Sequence, residues 1–504
     1  MSTQSIVNQY QKSANVSQIT EAFLKEKKHF HLSNLVGSSL SFVISETFKK
    51  INRPYLLIFN DKEEAAYYLN DLEQLLGHKN VLFYPGSYRR PYQIEETDNA
   101  NVLLRSEVLN RINSRKKPAV IVTYPSALFE KVVTKKELEK NTLKVTVGEP
   151  LSLDFVNEIL FEYKFKRVDF VTEPGDFSVR GGIIDVFSFS NDEPYRIEFF
   201  GNDIDSIRTF DVETQLSKEL LKKVSIIPNI ENKTRQENRE SFLKYISSTT
   251  IIFSKNIELI YGKIDTFFAK AEKDFNSVSK EIKHLKPQEL FCSGNYLKKQ
   301  IQEFTLVHFG SVTDHSKNSQ IDVIRFNTLP QPSFNKQFNL LIENLEEYHK
   351  AHFSNYIFCA NEQQAKRFED IFNDTDQEVH YETIIFPLHQ GFIDVENKIV
   401  CYTDHEIFER YHKFRLKNGY AKKQAITLKE LNKLEIGDYV THMDHGIGKF
   451  GGLQKIDVQG KKQEAIKLVY GERDILYVSI HSLHKIAKFN GKDGKAPKIY
   501  KLGS

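Results

Sequence analysis

The sequence predicts a multidomain α/β protein, and three observations carry that expectation. Amphipathic helical stretches alternate with short apolar strands from Val16 to about Lys144, and the pattern returns after Val224. Repeated units of this kind build a parallel sheet covered by helices. Between the two runs, residues 173–211 read EPGDFSVRGGIIDVFSFSNDEPYRIEFFGNDIDSIRTFD, an alternation of period two broken by Gly, Asn, Asp and Pro clusters. That is the pattern of an antiparallel meander, so a small β-rich module interrupts the first domain. Towards the end, residues 431–487 hold short strands joined by glycine turns, as in a small, strongly bent β-barrel. At 504 residues the chain exceeds what one core organises, and three or four domains are expected.

Bulk properties exclude several classes. A net charge of +3 is only mildly basic and gives no general argument for nucleic-acid binding. The three cysteines, Cys292, Cys359 and Cys401, lie far apart beside apolar segments, without metal-ligand or redox spacing. No stretch approaches the length of a membrane span and the polar N-terminus has no apolar signal region. A cytoplasmic protein is expected.

In chain order, the spacing predicts helices over 17–26, 40–50, 63–76 and 101–112, with strands over 29–35, 55–59, 81–84 and 119–123. The turn after the first strand is Val36-Gly37-Ser38-Ser39-Leu40-Ser41, where a nucleotide-binding fold carries its phosphate-cradling loop. A working loop needs a second glycine for close backbone approach and a lysine for the β and γ phosphates. Residues 84–92 (YPGSYRRPY) form an aromatic, basic loop of a kind that can stack on bases and hold phosphates, but the ordinary role of Pro and Gly favours a Pro-fixed surface turn whose tyrosines cover the sheet edge. In the meander, Arg180, Asp185, Arg196, Glu198, Asp203, Asp205 and Arg208 recur inside the strand pattern rather than only at turns. A solvated sheet face also explains them.

Strands over 249–253, 306–309 and 323–326 and a helix over 257–275 are expected to complete the interrupted sheet. After a punctuating loop at 327–332 a second small α/β domain follows, with helices over 336–350, 362–372 and 406–413 and strands over 355–359, 380–386 and 398–403. The polar segment 415–430 reads as a linker. In the last unit, His442 and His445, and His481 and His484, are paired at a spacing that could seat zinc. No cysteine accompanies them, and no metal is expected.

The motif VRGG-IDVF-YRIEFFG in residues 179–201 resembles the module shared by the excision-repair protein UvrB and the bacterial transcription-repair coupling factors. The resemblance implies docking of the repair ATPase UvrA, with contacts at Arg167, Phe177, Arg180, Arg196 and Glu198. Ser178 departs from it, standing where UvrB-like sequences often carry a second Arg. Aligned on the TGSGKT of UvrB, residues Gly37, Ser38, Ser39, Leu40 and Ser41 make a degenerate P-loop. Ser39 replaces the second Gly, Leu40 the Lys and Ser41 the Thr. The long aromatic hairpin of UvrB has no room here, because Glu95-Glu96-Thr97-Asp98 leads at once into the next helix.

The last unit, with Gly437-Asp438, Val440, His442 and His445-Gly446-Ile447-Gly448-Lys449, resembles the CarD-like RNA-polymerase-interacting domain, an SH3/Tudor-like barrel. That implies strand pairing with the RNA polymerase β subunit along 450–458, with Lys449, Phe450, Leu453 and Ile456 in contact. The two modules in this order resemble the N-terminal half of the coupling-factor family. Boundaries are expected near 1–148, 149–212, 213–330, 331–414, 415–430 and 431–504. The resemblance implies a fragment without its motor. ATP and Mg would belong to the motor of the longer parent, an ATP-dependent DNA translocase, and DNA binding by these residues would be weak or absent. The alternatives are a CarD-type transcription regulator and a UvrB-like damage-recognition protein.

Overall fold

The computed structural model describes residues 4–25, 29–87, 99–114, 117–212, 214–230, 238–277, 285–310, 321–375, 378–410, 434–442, 445–458, 461–471, 474–479, 486–488 and 501. Two compact units emerge, Met1–Thr142 with Asn229–Asn418, and Leu143–Pro228 with Gly419–Ser504.

The first unit holds a seven-stranded parallel sheet in the order Asp322–Arg325, His29–Ser33, Thr305–Gly310, Ile251–Ser254, Tyr55–Ile58, Val120–Thr123, Val81–Tyr84. Strands from before and after the interruption are interleaved, so neither segment can complete the sheet alone. Tyr55–Ile58 is buried at all four positions, as a central parallel strand covered on both faces must be. Helix Lys62–Leu76 begins where the Asp61 side chain accepts the Glu64 N–H and ends at Gly77, whose φ of 79° suits a glycine C-cap.

A second, five-stranded sheet in this unit runs Thr328–Pro330, Phe392–Asp394, Ile399–Thr403, Ser354–Cys359, Glu382–Ile385, antiparallel on one side and parallel on the other. It is referred to below as the second lobe. Helix Ser39–Lys50 is buried from Ser39 through Thr47, because it lies between the two sheets. Phe42 reaches Phe358 and Phe392 with ring centroids 6.5 and 5.8 Å apart. The N-terminus, which the sequence reading leaves without structure, forms helix Gln4–Lys12. Its few apolar residues include Ile6 and Tyr10, spaced i, i+4 and both fully buried, and the Tyr10 hydroxyl donates to Asp394 at 2.8 Å. The expected helix over 406–413 is described only as Asp404–Ile407.

In the second unit, a six-stranded sheet runs Ser217–Leu221, Asp203–Phe210, Tyr195–Phe200, Ile183–Val186, Asp176–Arg180, Lys166–Arg167. Leu143–Thr146 and Lys223–Ile226 pair antiparallel where the chain enters and leaves it. The module is therefore longer than 149–212, since Ser217–Leu221 adds beside Asp203–Phe210 and the entry strand precedes Gly148. The C-terminal strands form an antiparallel sheet ordered Ile475–Ser479, Lys461–Val469, Gly446–Val458, Tyr439–His442, Ile486–Lys488. Val440, Phe450, Ile466, Leu468 and Ile486 make its core. Gly448 lies against the Tyr470 ring, where a Cβ would come within 3.0 Å, so a side chain there would displace the ring.

Among the described residues no helix is long and apolar enough to cross a membrane. All three cysteines are buried, and burial pushes the Cys292 and Cys359 thiols up to about 12.

Two histidines of the first unit give its stability a pH dependence. Burial lowers His308 and His405 to about 4 in the folded chain, against roughly 6.5 when unfolded. Acid therefore favours the unfolded state, and this contribution is complete above about pH 6.5 and lost as pH falls towards 4. Urea unfolding of the first unit is expected to show a lower midpoint at pH 5 than at pH 7, and replacing both histidines by Gln should flatten that difference.

Candidate functional site

The meander places its charges by strand parity. Cross-strand partners share a face, and the register aligns Ser178 with Asp185, Asp185 with Arg196, Arg196 with Arg208, and Arg208 with Leu220. One face of the sheet is therefore polar. The other carries Phe177, Ile184, Val186, Tyr195, Ile197 and Ile207, all buried.

Asp185 is the centre of the polar face and is itself buried. Arg196 holds it with two bonds, Nε to Oδ1 at 2.7 Å and Nη2 to Oδ2 at 2.9 Å, and Arg180 approaches Oδ2 from the neighbouring strand. The Arg196 guanidinium also donates to the Gln215 carbonyl at 3.1 Å and lies 4.6 Å from the Phe210 ring centroid. Its hydrogen bonds to Asp185 raise its pKa further. Glu198 accepts from both Arg208 and Ser206 at 2.6 Å. The charges expected from sequence thus form paired sets with different duties. Arg196 neutralises a buried carboxylate, whereas Arg180 has 45% of its side chain exposed and lies over Phe170. Arg167 is exposed on the edge strand, and a shallow groove is lined by Arg167, Asp169, Phe170, Ser178 and Arg180.

Two corrections follow. Phe177, expected as a docking contact, is wholly buried because it pairs with Val186 on the core face and takes Phe161 edge-on against its ring. The exposed apolar residues are others. Phe200 is 81% exposed beside the turn glycine Gly201, and Leu220 is 75% exposed opposite Arg208. Phe200 lies two residues beyond Glu198 in the same strand, a parity signal legible in the sequence. Large exposed apolar side chains on a sheet that also carries partly exposed arginines match the composition of protein-docking surfaces.

The degenerate loop is closed. Gly37 has φ of 54° and a Cβ there would lie 2.7 Å from the Gly391 carbonyl oxygen. Ser38, Ser39, Leu40 and Ser41 are all buried. The Ser38 N–H donates to the Gln390 carbonyl at 3.1 Å, and the Ser39 hydroxyl turns back to the Val36 carbonyl at 2.6 Å. Ser38, His389 and Asp71 resemble a catalytic triad by residue type only. Ser38 Oγ and Asp71 Oδ2 both meet His389 Nδ1, at 3.0 and 2.6 Å, so the ring cannot relay a proton between them.

In the C-terminal sheet, residues 446–449 of the long strand pair with Tyr439–His442 and residues 449–458 with Lys461–Val469. A register shift between Phe450 and Leu453, at Gly451 and Gly452, lets one strand serve both neighbours. Past this bulge, no strand among the described residues occupies the other edge of the segment. Phe450 is corrected as a contact, since its side chain is buried in the core. Leu453 is exposed, Lys449 is partly exposed over the Tyr439 ring, and Ile456 lies on the strand. The basic loop at Arg89 and Arg90, the linker 415–430, and His481 and His484 lie outside the described residues. Among the described residues no His, Cys, Asp and Glu cluster could hold a metal.

Comparison with known proteins finds two family matches, the UvrB interaction domain over residues 143–231 and the CarD-like/TRCF RID domain over residues 434–490. The transcription-repair-coupling factor of Bacillus subtilis (strain 168) is 26% identical over 547 residues, covering 94% of this chain and 46% of that protein. That of Staphylococcus haemolyticus is 25% identical over 548 residues with the same coverage. The chain thus spans about half the length of the curated relatives it matches. A solved DEAD box protein from Methanococcus jannaschii aligns at 10% identity with a TM-score of 0.26, covering 77% of this chain and 73% of that one, too distant to carry an argument. The resemblance read from the VRGG and HGIGK motifs is met by both domains in the expected order and by relatives along nearly the whole chain.

The two arginines are expected to separate on mutation. Arg196→Ala leaves a buried carboxylate short of its principal partner and should cost about 3–5 kcal/mol. Arg180→Ala removes a half-exposed partner while Arg196 keeps its grip, and should cost about 1 kcal/mol or less. Denaturant unfolding of the two variants, followed in the meander, measures both, and equal losses would contradict this division of roles.

Proposed function

We propose that this chain, with a UvrB interaction domain and a CarD-like/TRCF RID domain on one polypeptide, is an adaptor of transcription-coupled DNA repair. In this reading the polar face of the meander docks UvrA, and the open edge beyond the Gly451–Gly452 bulge adds as a strand to the RNA polymerase β subunit. Holding both partners on one chain raises the effective concentration of the repair protein at a stalled polymerase without any chemistry in these residues. The observation that carries the proposal is the co-occurrence of the two domains, since a UvrB-like clamp needs only the first and a CarD-type regulator only the second.

Local geometry supports each half. Arg180 and Arg208 offer partly exposed cations, Leu220 stands bare opposite Arg208, and Phe200 is bare at the end of its strand. The edge of 453–458 away from Lys461–Val469, unpaired among the described residues, suits strand addition, with Leu453 as an exposed side-chain contact. The reading includes closure of the C-terminal strands into an SH3/Tudor-like barrel, which the Gly451–Gly452 bulge favours, and action in the cytoplasm. It assigns no ATP binding to residues 37–41, because Leu40 replaces the lysine and the Ser38 N–H is already given to Gln390. ATP-dependent translocation on DNA is not assigned to these residues.

Titration of the chain with UvrA and, separately, with polymerase β subunit tests the proposal. Phe200→Ala and Leu220→Ala should each weaken UvrA binding by ~1–2 kcal/mol, as buried interface anchors do, while leaving unfolding midpoints and polymerase binding unchanged. Leu453→Glu should weaken only polymerase binding. Undiminished UvrA affinity in the Phe200, Leu220 and Arg180 variants together would remove the meander face from the mechanism.

A further inference from the structure

Sequence gives the second lobe no chemistry, yet its segment 388–391 lies on the degenerate phosphate loop. Loop N–H groups of this kind ordinarily meet phosphate oxygens. Here the Ser38 N–H meets the Gln390 carbonyl at 3.1 Å, and the Gln390 N–H returns to Ser38 Oγ at 3.2 Å. His389 completes the contact. Its backbone N–H donates to Asp71 Oδ1 at 3.0 Å, and its Nδ1 lies 2.6 Å from Asp71 Oδ2, which also accepts from Ser41 Oγ at 3.1 Å. Asp71 is fully buried, so its carboxylate relies on these donors for the solvation that water would supply. The imidazole lies against Tyr67 and Tyr68, with centroids 5.8 and 4.6 Å away.

The segment is equally tied to its own lobe. The Gly391 N–H donates to Glu406 Oε2 at 2.6 Å, and His405 Nε2 lies 3.2 Å from the His389 carbonyl. Gly391 admits no side chain, since a Cβ would come within 2.0 Å of Gln331 Oε1 and 2.9 Å of the Cys401 carbonyl. Loop and plug therefore touch backbone to backbone, with polar groups on both sides matched.

We propose that residues 388–391 are the resident occupant of the phosphate loop, and that this clasp makes the seven-stranded domain and the second lobe one cooperative unit. The second lobe is then a stopper and brace for a nucleotide fold that carries no nucleotide. This role is independent of the docking reading above.

Native-state hydrogen exchange on the whole chain tests it, with Ile342→Ala as the perturbation. Ile342 is buried in the second lobe's own outer core, among residues that belong to that lobe. In the otherwise native chain, Ile342→Ala should lower protection at Tyr55–Ile58 by the same factor as at Ser354–Cys359. In a Ser38→Ala, His389→Ala background it should lower protection at Ser354–Cys359 alone, and His389→Asn, which keeps a donor towards Asp71, should restore the shared loss. If Ile342→Ala leaves Tyr55–Ile58 unaffected in the native chain, the lobes are independent and the proposal fails. If the shared loss persists in the doubly substituted background, the coupling resides elsewhere, in the hydrophobic core the two sheets share around Phe42 or in the Tyr10–Asp394 bond, and the clasp is overturned as its cause.

Discussion

The structure depends on one topological constraint, the interleaving of the parallel sheet. Ile251–Ser254 and Thr305–Gly310 lie between His29–Ser33 and Tyr55–Ile58. The first 142 residues therefore leave a gap in the middle of the sheet that later residues must fill. Strands buried on both faces, such as Tyr55–Ile58, gain their stability only when both neighbours are present. An inserted module is compatible with this only if its two ends come together. The pairing of Leu143–Thr146 with Lys223–Ile226 does that.

Within the module, the same logic separates stability from recognition. A carboxylate buried like Asp185 requires compensation, and a fork of hydrogen bonds from Arg196 supplies it with good geometry. That duty fixes Arg196 and, through it, the spacing of three strands. In the proposed docking reading, the residues left to recognise a partner are those with exposed surface, among them Arg167, Arg180, Arg208, Phe200 and Leu220. Motif similarity treats the arginines of VRGG and YRIEFF alike, but burial does not. An arginine that holds a fold together lowers partner affinity on mutation for reasons unrelated to contact, so affinity loss alone is a poor guide to this surface.

The sequence makes the discontinuous α/β arrangement, the meander and the glycine-turn strands legible because each depends on a local period or a turn residue. The charged residues of the meander were readable as a face for the same reason. What it hides depends on pairing between distant strands. Phe177 alternates correctly for a strand, but nothing local says which face is the core; that follows from its register with Val186 and from Phe161. Phe450 misleads in the same way. Helix Gln4–Lys12 escapes notice because its burial depends on tertiary partners: Tyr10 stacks on Phe42 and donates to Asp394, 384 residues away in sequence. The bond from the Ser38 N–H to the Gln390 carbonyl has no sequence signal, since backbone groups make it.

If residues 37–41 are a degenerate phosphate loop, as the resemblance implies, the clasp proposed above fills the site. A phosphate loop buried without its phosphate would leave N–H groups without an acceptor, and unsatisfied groups of that kind cost about 1–3 kcal/mol each. Every replaced position here has acquired a local use. Leu40 joins the hydrophobic cluster that includes Leu388 and Phe392, the Ser39 hydroxyl closes the turn onto Val36, and Ser41 bonds Asp71. Returning lysine at position 40 would put a charge into that cluster rather than beside a phosphate. Gly37, with positive φ, admits the Gly391 backbone where, by the resemblance, a phosphate would approach. The absence of a motor lysine and the presence of a second lobe without evident chemistry are then two sides of one adaptation, in which protein carbonyl has taken the place of ligand oxygen.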